Sequence, residues 1–328
     1  MFCSGGTTNT PARYPSYYRQ PHEADPDTRG GTVSEMRPAG EQPREFHVTA
    51  NGIDQAYFEW AGEGAPVLLI HATGFHGRIW DEVARRLPGR RILAVDTRGH
   101  GRSAKPEPPY NWDYTGADIL DLVRVLDLHD VIAVGHSMGG HSAVYAAARE
   151  PSRFAGLVLI DPTIGRDRAV ATRDGAGAKG VARRRNEWAS PEEMVERFRD
   201  RYPFDLWQPR VLDDYARYGL LPAPSGDGYV LACPPAIEAA VYGARGMGEH
   251  IWAAVPKIAV PVRVLRARAP EPGVQARPFE TSPTDPGLAS AFPNGDDRVL
   301  SHLTHFIPMQ EPELVAEEIA GFVDRLRA

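Results

Sequence analysis

The chain has 328 residues, 42% hydrophobic and 24% charged, enough apolar material for a sizeable core in one large domain or two. Its 37 Lys and Arg against 43 Asp and Glu leave a formal charge of −6 with no long single-sign block, so nothing points to a nucleic-acid partner. Two cysteines, Cys3 and Cys233, make no disulfide framework, no apolar run approaches the ~18 residues of a membrane span, and residues 1–30 lack a secretory leader's pattern; the expectation is a cytoplasmic protein with no membrane partner.

Residues 1–43 are rich in Gly, Pro, Ser, Thr and charge without hydrophobic periodicity, and read as a disordered N-terminal arm. From residue 45 the pattern changes. Stretches 45–50 and 53–60 flank Asn51-Gly52, a two-residue hairpin signal. Short apolar runs at 66–70, 91–95, 131–134, 156–160 and 262–265 then read as strands buried on both faces, with a last strand around Leu300. Amphipathic stretches at 79–87, 114–128, 138–150 and 313–328 read as the helices between and after them. The alternation predicts an α/β fold, a mostly parallel sheet with helices on both faces. Between Ile160 and Val262 it stops, and charged, aromatic-rich helical stretches such as 191–202 and 211–218 take its place. The expected division is a core of 44–164 and 256–328 carrying a helical insertion, 165–255.

The sharpest chemical signal is VIAVGHSMGG, Val131 to Gly140: an apolar strand running into G-x-S-x-G and then a helix pattern. A serine on so tight a strand-to-helix turn exposes its Oγ, and Gly135 and Gly139 let strand and helix approach. The helix that follows aims free N–H groups and its positive dipole end at an oxyanion formed beside Ser137. A serine hydroxyl is a weak nucleophile and needs a base within hydrogen-bond reach, for which eleven histidines compete. No H-E-x-x-H, paired-Cys motif or G-x-G-x-x-G after a strand is present, so neither a metal nor a nicotinamide cofactor is expected.

With HATGF (His71 to Phe75) after the third strand, DTRGHGRS (Asp96 to Ser103) after the fourth and THFIP (Thr304 to Pro308) before the last helix, the chain resembles the α/β-hydrolase superfamily from about residue 45 onward. The resemblance implies that Ser137 is the nucleophile, that His305 is its base, and that the backbone amides of Thr73 and Met138 form the oxyanion hole. His71 and the loop Asp96–Ser103 read as bracing. The triad's carboxylate is open. The common position after strand seven offers only Glu271, whereas Asp161 ends strand six, from which part of the family takes its acid; Asp161 leads, Glu271 is the alternative, and Asp296 or Asp297 follow.

The resemblance makes the insertion a helical lid, and its aromatic residues could line an apolar cleft. Candidate substrate contacts are Phe75, His136, Trp188, Trp207, Tyr215 and Tyr242, although many of these must be packing residues. The expected activity is hydrolysis of a carboxylic ester or lactone of an apolar or aromatic small molecule through an acyl-enzyme. A carbon–carbon bond hydrolase of diketones or dienoates, or a small-molecule receptor on the same fold, are the alternatives.

Overall fold

The structure is a computed structural model; it describes residues 36–37, 41–166, 179–244 and 248–327. Most of the expected N-terminal arm, and residues 167–178 and 245–247 of the insertion, lie outside the described residues.

The chain order is β1 (Arg44–Ala50), β2 (Ile53–Trp60), β3 (Glu63–Ile70), α1 (Asp81–Arg85), β4 (Arg90–Val95), α2 (Trp112–Val125), β5 (Val131–His136), α3 (Met138–Arg149) and β6 (Phe154–Ile160). The insertion then contributes β7 (Glu187–Trp188), α4 (Pro191–Phe198), α5 (Pro209–Tyr218), β8 (Leu220–Pro222), β9 (Tyr229–Leu231), α6 (Pro235–Gly243) and α7 (Gly248–Ala254). The chain closes with β10 (Val262–Arg266), α8 (Leu288–Ala291), β11 (Gly295–Val299), α9 (Ile307–Gln310) and α10 (Pro312–Arg327).

Eight strands form one sheet in the order β1-β2-β4-β3-β5-β6-β10-β11, in which β2 runs antiparallel to both β1 and β4 and the other neighbouring pairs are parallel. The β1–β2 hairpin turns on Asn51 and Gly52, both at positive φ (45° and 75°), as a tight two-residue connection requires. The central strands carry unbroken apolar runs because both faces are covered. Val67, Leu69, Ile132, Val134, Val158 and Ile160 point into one layer, and Leu68, Ile70, Val131, Ala133, Leu157 and Leu159 into the other. Each such Val, Leu or Ile side chain contributes about 1.5–3 kcal/mol by leaving water. Strand β3 is the switch point: from it the chain passes first to β4 on one side and then to β5 on the other. The crevice beyond the carboxyl ends of β3 and β5 is where this topology places a ligand.

Two elements differ from expectation. The last strand is GDDRV, Gly295–Val299, and Leu300 follows it. It is an exposed edge strand whose Asp296 and Asp297 pair with Arg263 and Arg266, so apolar patterning gives no sign of it. The insertion carries a small antiparallel sheet, β7-β9-β8, whose strands are too short for a periodic signal. Residues 36–37 and 41–43 of the expected arm are among the described residues. Arg37 is buried, and its guanidinium donates to the carbonyl oxygens of Ala84 (3.2 Å) and Ala61 (3.1 Å) and to Glu41 (2.7 Å).

Candidate active site

Ser137 sits between β5 and α3 with φ 54° and ψ −113°, outside the regions open to an unstrained L-residue. The two flanking glycines are steric requirements. A Cβ at Gly135 would lie 2.3 Å from the carbonyl oxygen of Gly139, and one at Gly139 would lie 2.1 Å from that of Ile70. Both obstacles are backbone and cannot swing aside. The turn is tied down by Ser137 N–H donating to Ile160 O (3.0 Å) and Thr163 N–H donating to Ser137 O (3.3 Å). The serine hydroxyl lies 3.2 Å from the Thr163 hydroxyl.

His305 follows β11 on the loop leading to α9, and its main chain is fixed from two sides. Its N–H donates to Phe279 O (3.0 Å), and its carbonyl accepts from His136 Nε2 (2.8 Å). Its ring stacks on Phe279 with centroids 5.9 Å apart, and its Nδ1 lies 2.6 Å from Asp161 Oδ2. With Asp161 ionised, Nδ1 carries the proton and Nε2 is left as the basic nitrogen.

Asp161 is fully buried at the end of β6, at positive φ (42°). Burying a carboxylate is costly unless its oxygens are hydrogen-bonded. Here Oδ1 accepts from Ala267 N–H (3.0 Å) and the Ser282 hydroxyl, with the Thr284 hydroxyl, which donates to Pro162 O (2.7 Å), a further 3.4 Å neighbour; Oδ2 is left for the imidazole. The loop after β10, where an acid was also sought, therefore supplies donors to Asp161. Glu271 on that loop is exposed, and Asp296 and Asp297 are engaged by arginines of β10; none of the three is recorded in contact with His305.

Thr73 is buried in the loop after β3, and its hydroxyl donates to Met138 Sδ at 3.3 Å, so the two expected oxyanion donors stand on touching segments. The Met138 amide is the first of α3, a position with no acceptor within the helix. A histidine relay holds the Thr73 loop. His71 Nδ1 donates to Ala72 O (2.7 Å) while its Nε2 accepts from Thr97 N–H (3.1 Å). His100 Nδ1 donates to Arg98 O (2.9 Å) while its Nε2 accepts the Gly74 N–H (3.0 Å). Both rings must be neutral to accept, and burial does this, pushing His71 down to about 4 and His100 to about 3. Asp96 completes the brace by accepting from Gly77 and Arg102 N–H groups at 2.6 and 2.7 Å.

The six candidate substrate contacts separate. Phe75, Trp207 and Tyr215 form one aromatic cluster with Phe306, at centroid distances of 5.4–5.7 Å for Phe75–Tyr215, Phe75–Trp207, Trp207–Tyr215 and Trp207–Phe306. Tyr242 lies 6.4 Å from Phe279, ring to ring. His136 is fully buried, with its ring 4.9 Å from that of His305 and 6.5 Å from that of Phe75, and Trp188 packs inside the insertion between Phe198 and Arg185.

Thr163, His100, Ser282 and Thr284 were not singled out by sequence as individual site residues. Only the proximity of Thr163 to Asp161 in the chain could have suggested one of them. Among the described residues, no three His, Cys, Asp or Glu side chains converge as a metal site would require, and no helix is long and apolar enough to cross a membrane.

Comparison with known proteins agrees with this architecture. The model of the alpha/beta hydrolase family matches residues 67–318. A lipase of Mycobacterium tuberculosis is 42% identical over 106 residues, a stretch covering 31% of this chain and only 39% of the lipase. The 2-(acetamidomethylene)succinate hydrolase of Mesorhizobium japonicum is 28% identical over 270 residues, 80% of this chain and 89% of that enzyme. A crystal structure of E-2-(acetamidomethylene)succinate hydrolase superposes with a TM-score of 0.70 at 22% identity, covering 86% of this chain and 99% of the other. The chain belongs to the α/β-hydrolase family.

Proposed function

We propose that the protein is a serine hydrolase that cleaves a carboxylic ester or lactone of an apolar or aromatic small molecule, with Ser137, His305 and Asp161 as its triad. The observation that carries this reading is the 2.6 Å contact between Asp161 Oδ2 and His305 Nδ1, beside a serine held at positive φ. In the proposed cycle Ser137 Oγ attacks the acyl carbon while His305 Nε2 takes its proton. Asp161 stabilises the imidazolium, and the proton then passes to the leaving alkoxide. The amides of Thr73 and Met138 bind the oxyanion. Water, activated by the same imidazole, attacks the acyl-enzyme and returns the serine. The attack requires the serine hydroxyl, 3.2 Å from that of Thr163, to give up that partner for the imidazole. Residues 165–255 act as a lid whose aromatic cluster shapes an apolar cleft. The partial match to a lipase supports ester chemistry but leaves acyl preference to this chain's own insertion.

Turnover of short-chain p-nitrophenyl esters tests the reading. Wild type hydrolyses them, and Ser137→Ala slows turnover about a thousandfold or more. Equal rates in the two proteins, or no turnover by wild type across a graded series of esters and lactones, overturns it.

A further inference from the structure

The three residues that follow Thr73 are each met by the insertion. Gly74 meets α6: it stands at φ 84°, and a Cβ there would lie 2.5 Å from Glu238 Oε1 and 2.8 Å from Glu238 Cδ, so a carboxylate covers the bare face of the glycine. Phe75 meets α5, its ring 5.6 Å from that of Tyr215. His76 Nε2 donates to the Tyr215 carbonyl oxygen at 3.2 Å. The core's own hold on Gly74 is the N–H donated to His100 Nε2 (3.0 Å). Glu238 is buried, which costs a carboxylate dearly unless it is paired. Arg184 pairs it: Nη1 donates to Glu238 Oε2 (2.6 Å) while Nη2 donates to the Tyr215 hydroxyl (2.7 Å), so one guanidinium ties together the two helices that meet the loop.

Helix α6 also reaches the second oxyanion segment. Val241, three residues after Glu238 and so on the same side of the helix, is buried in one apolar cluster with Met138, Tyr110 and Trp112, and its carbonyl oxygen accepts from Trp112 Nε1 (3.1 Å). A flap that only covered a cleft would need no buried ion pair against a loop of the core. Oxyanion donors, in contrast, work only if they already stand in place when charge develops. We propose that Glu238 and Arg184 are positioning residues of the oxyanion hole: through them α6 presses on Gly74 and fixes the Thr73 amide. The proposal rests on the reading of Thr73 and Met138 as the oxyanion donors of a hydrolase.

Two variants of the full chain separate this role from general support of the fold. Arg184→Met with Glu238→Ala strips the carboxylate from Gly74 without stranding one buried charge, whereas Glu238→Gln keeps the shape and an oxygen for Arg184. Hydrogen–deuterium exchange is read on the peptide carrying residues 73–76, and steady-state kinetics on one p-nitrophenyl ester. In the double variant those amides exchange about tenfold or more faster while β3 and β5 keep their wild-type protection. Its kcat falls about tenfold or more with KM within about twofold, as for donors displaced rather than removed. Glu238→Gln stays within about threefold of wild type in both measurements. Wild-type exchange and kcat in the double variant overturn the proposal, as does exchange that rises equally in β3 and β5, the mark of a merely structural contact. Absence of ester turnover by wild type, with the localised rise in exchange intact, counts against the hydrolase reading alone.

Discussion

Asp161 Oδ2 lies 2.6 Å from His305 Nδ1, across 144 residues of chain, and every other recorded polar contact of that carboxylate comes from the loop after β10. If Asp161 orients the base, Asp161→Asn keeps the shape but favours the imidazole tautomer with its proton on the wrong nitrogen. Turnover is then expected to slow by about three to four orders of magnitude, with KM little changed. Glu271→Gln, made on an exposed side chain, changes turnover by less than about twofold. Steady-state kinetics on one p-nitrophenyl ester compares the two variants.

The hold of His100 on Gly74 gives a separate expectation. His100→Leu leaves the Gly74 N–H without its acceptor, which costs about 1–3 kcal/mol of stability and loosens the oxyanion loop. Loss of a preorganised loop lowers kcat more than it raises KM, the fall in turnover being about tenfold or more. A urea melt and a kcat against KM comparison read the two effects independently. A variant that loses stability with kcat intact would show that the loop needs no brace.

How much of this was legible in the sequence follows from what each feature depends on. The elbow is readable because its geometry is enforced within five residues: no Cβ fits at Gly135 or Gly139, so the steric demand is written locally. The central strands are readable because burial on both faces demands unbroken apolar runs. The acid was ambiguous because what makes Asp161 tenable, donors from Ala267 and Ser282, lies over a hundred residues away on a loop without periodicity. Strand β11 was placed late because its polar side chains are neutralised by arginines of β10, a pairing that only the fold creates.

Buried histidines set the acid limit of the fold. His71, His100 and His141 are held neutral by burial, with values pushed down to about 4, 3 and 3, whereas an unfolded chain protonates each near 6.5. The unfolded state therefore binds more protons below pH 6.5. Stability present above that pH is lost as pH falls toward 3–4, by up to about 1.4 kcal/mol per pH unit for each ring. His47 acts oppositely: its neighbours Glu45 and Asp54 raise it to about 9, so its contribution is full below 6.5 and is lost as pH rises through 9, weakly because it is exposed to solvent. Urea midpoints fall between pH 7 and pH 5; a flat profile there would contradict the buried, neutral assignment.

Asp214 on α5 offers a variant expected to stabilise. Burial, and then the nearby Asp81 carboxylate, raise it to about 8, and its Oδ2 has no hydrogen-bond partner among the described residues. An unfolded Asp is ionised above pH 4, so this site destabilises the fold increasingly as pH rises from about 4 to 8. Asp214→Asn raises the urea midpoint at pH 8 and leaves it nearly unchanged at pH 5. The same shift at both pH values would contradict the titration.

Labelling with a fluorophosphonate, followed by mass analysis of the peptide carrying the adduct, tests the central claim most directly. The account predicts one adduct, on Ser137, its formation slowed about a hundredfold or more in His305→Ala. An unlabelled protein, or an adduct on another serine with Ser137 free, would contradict it.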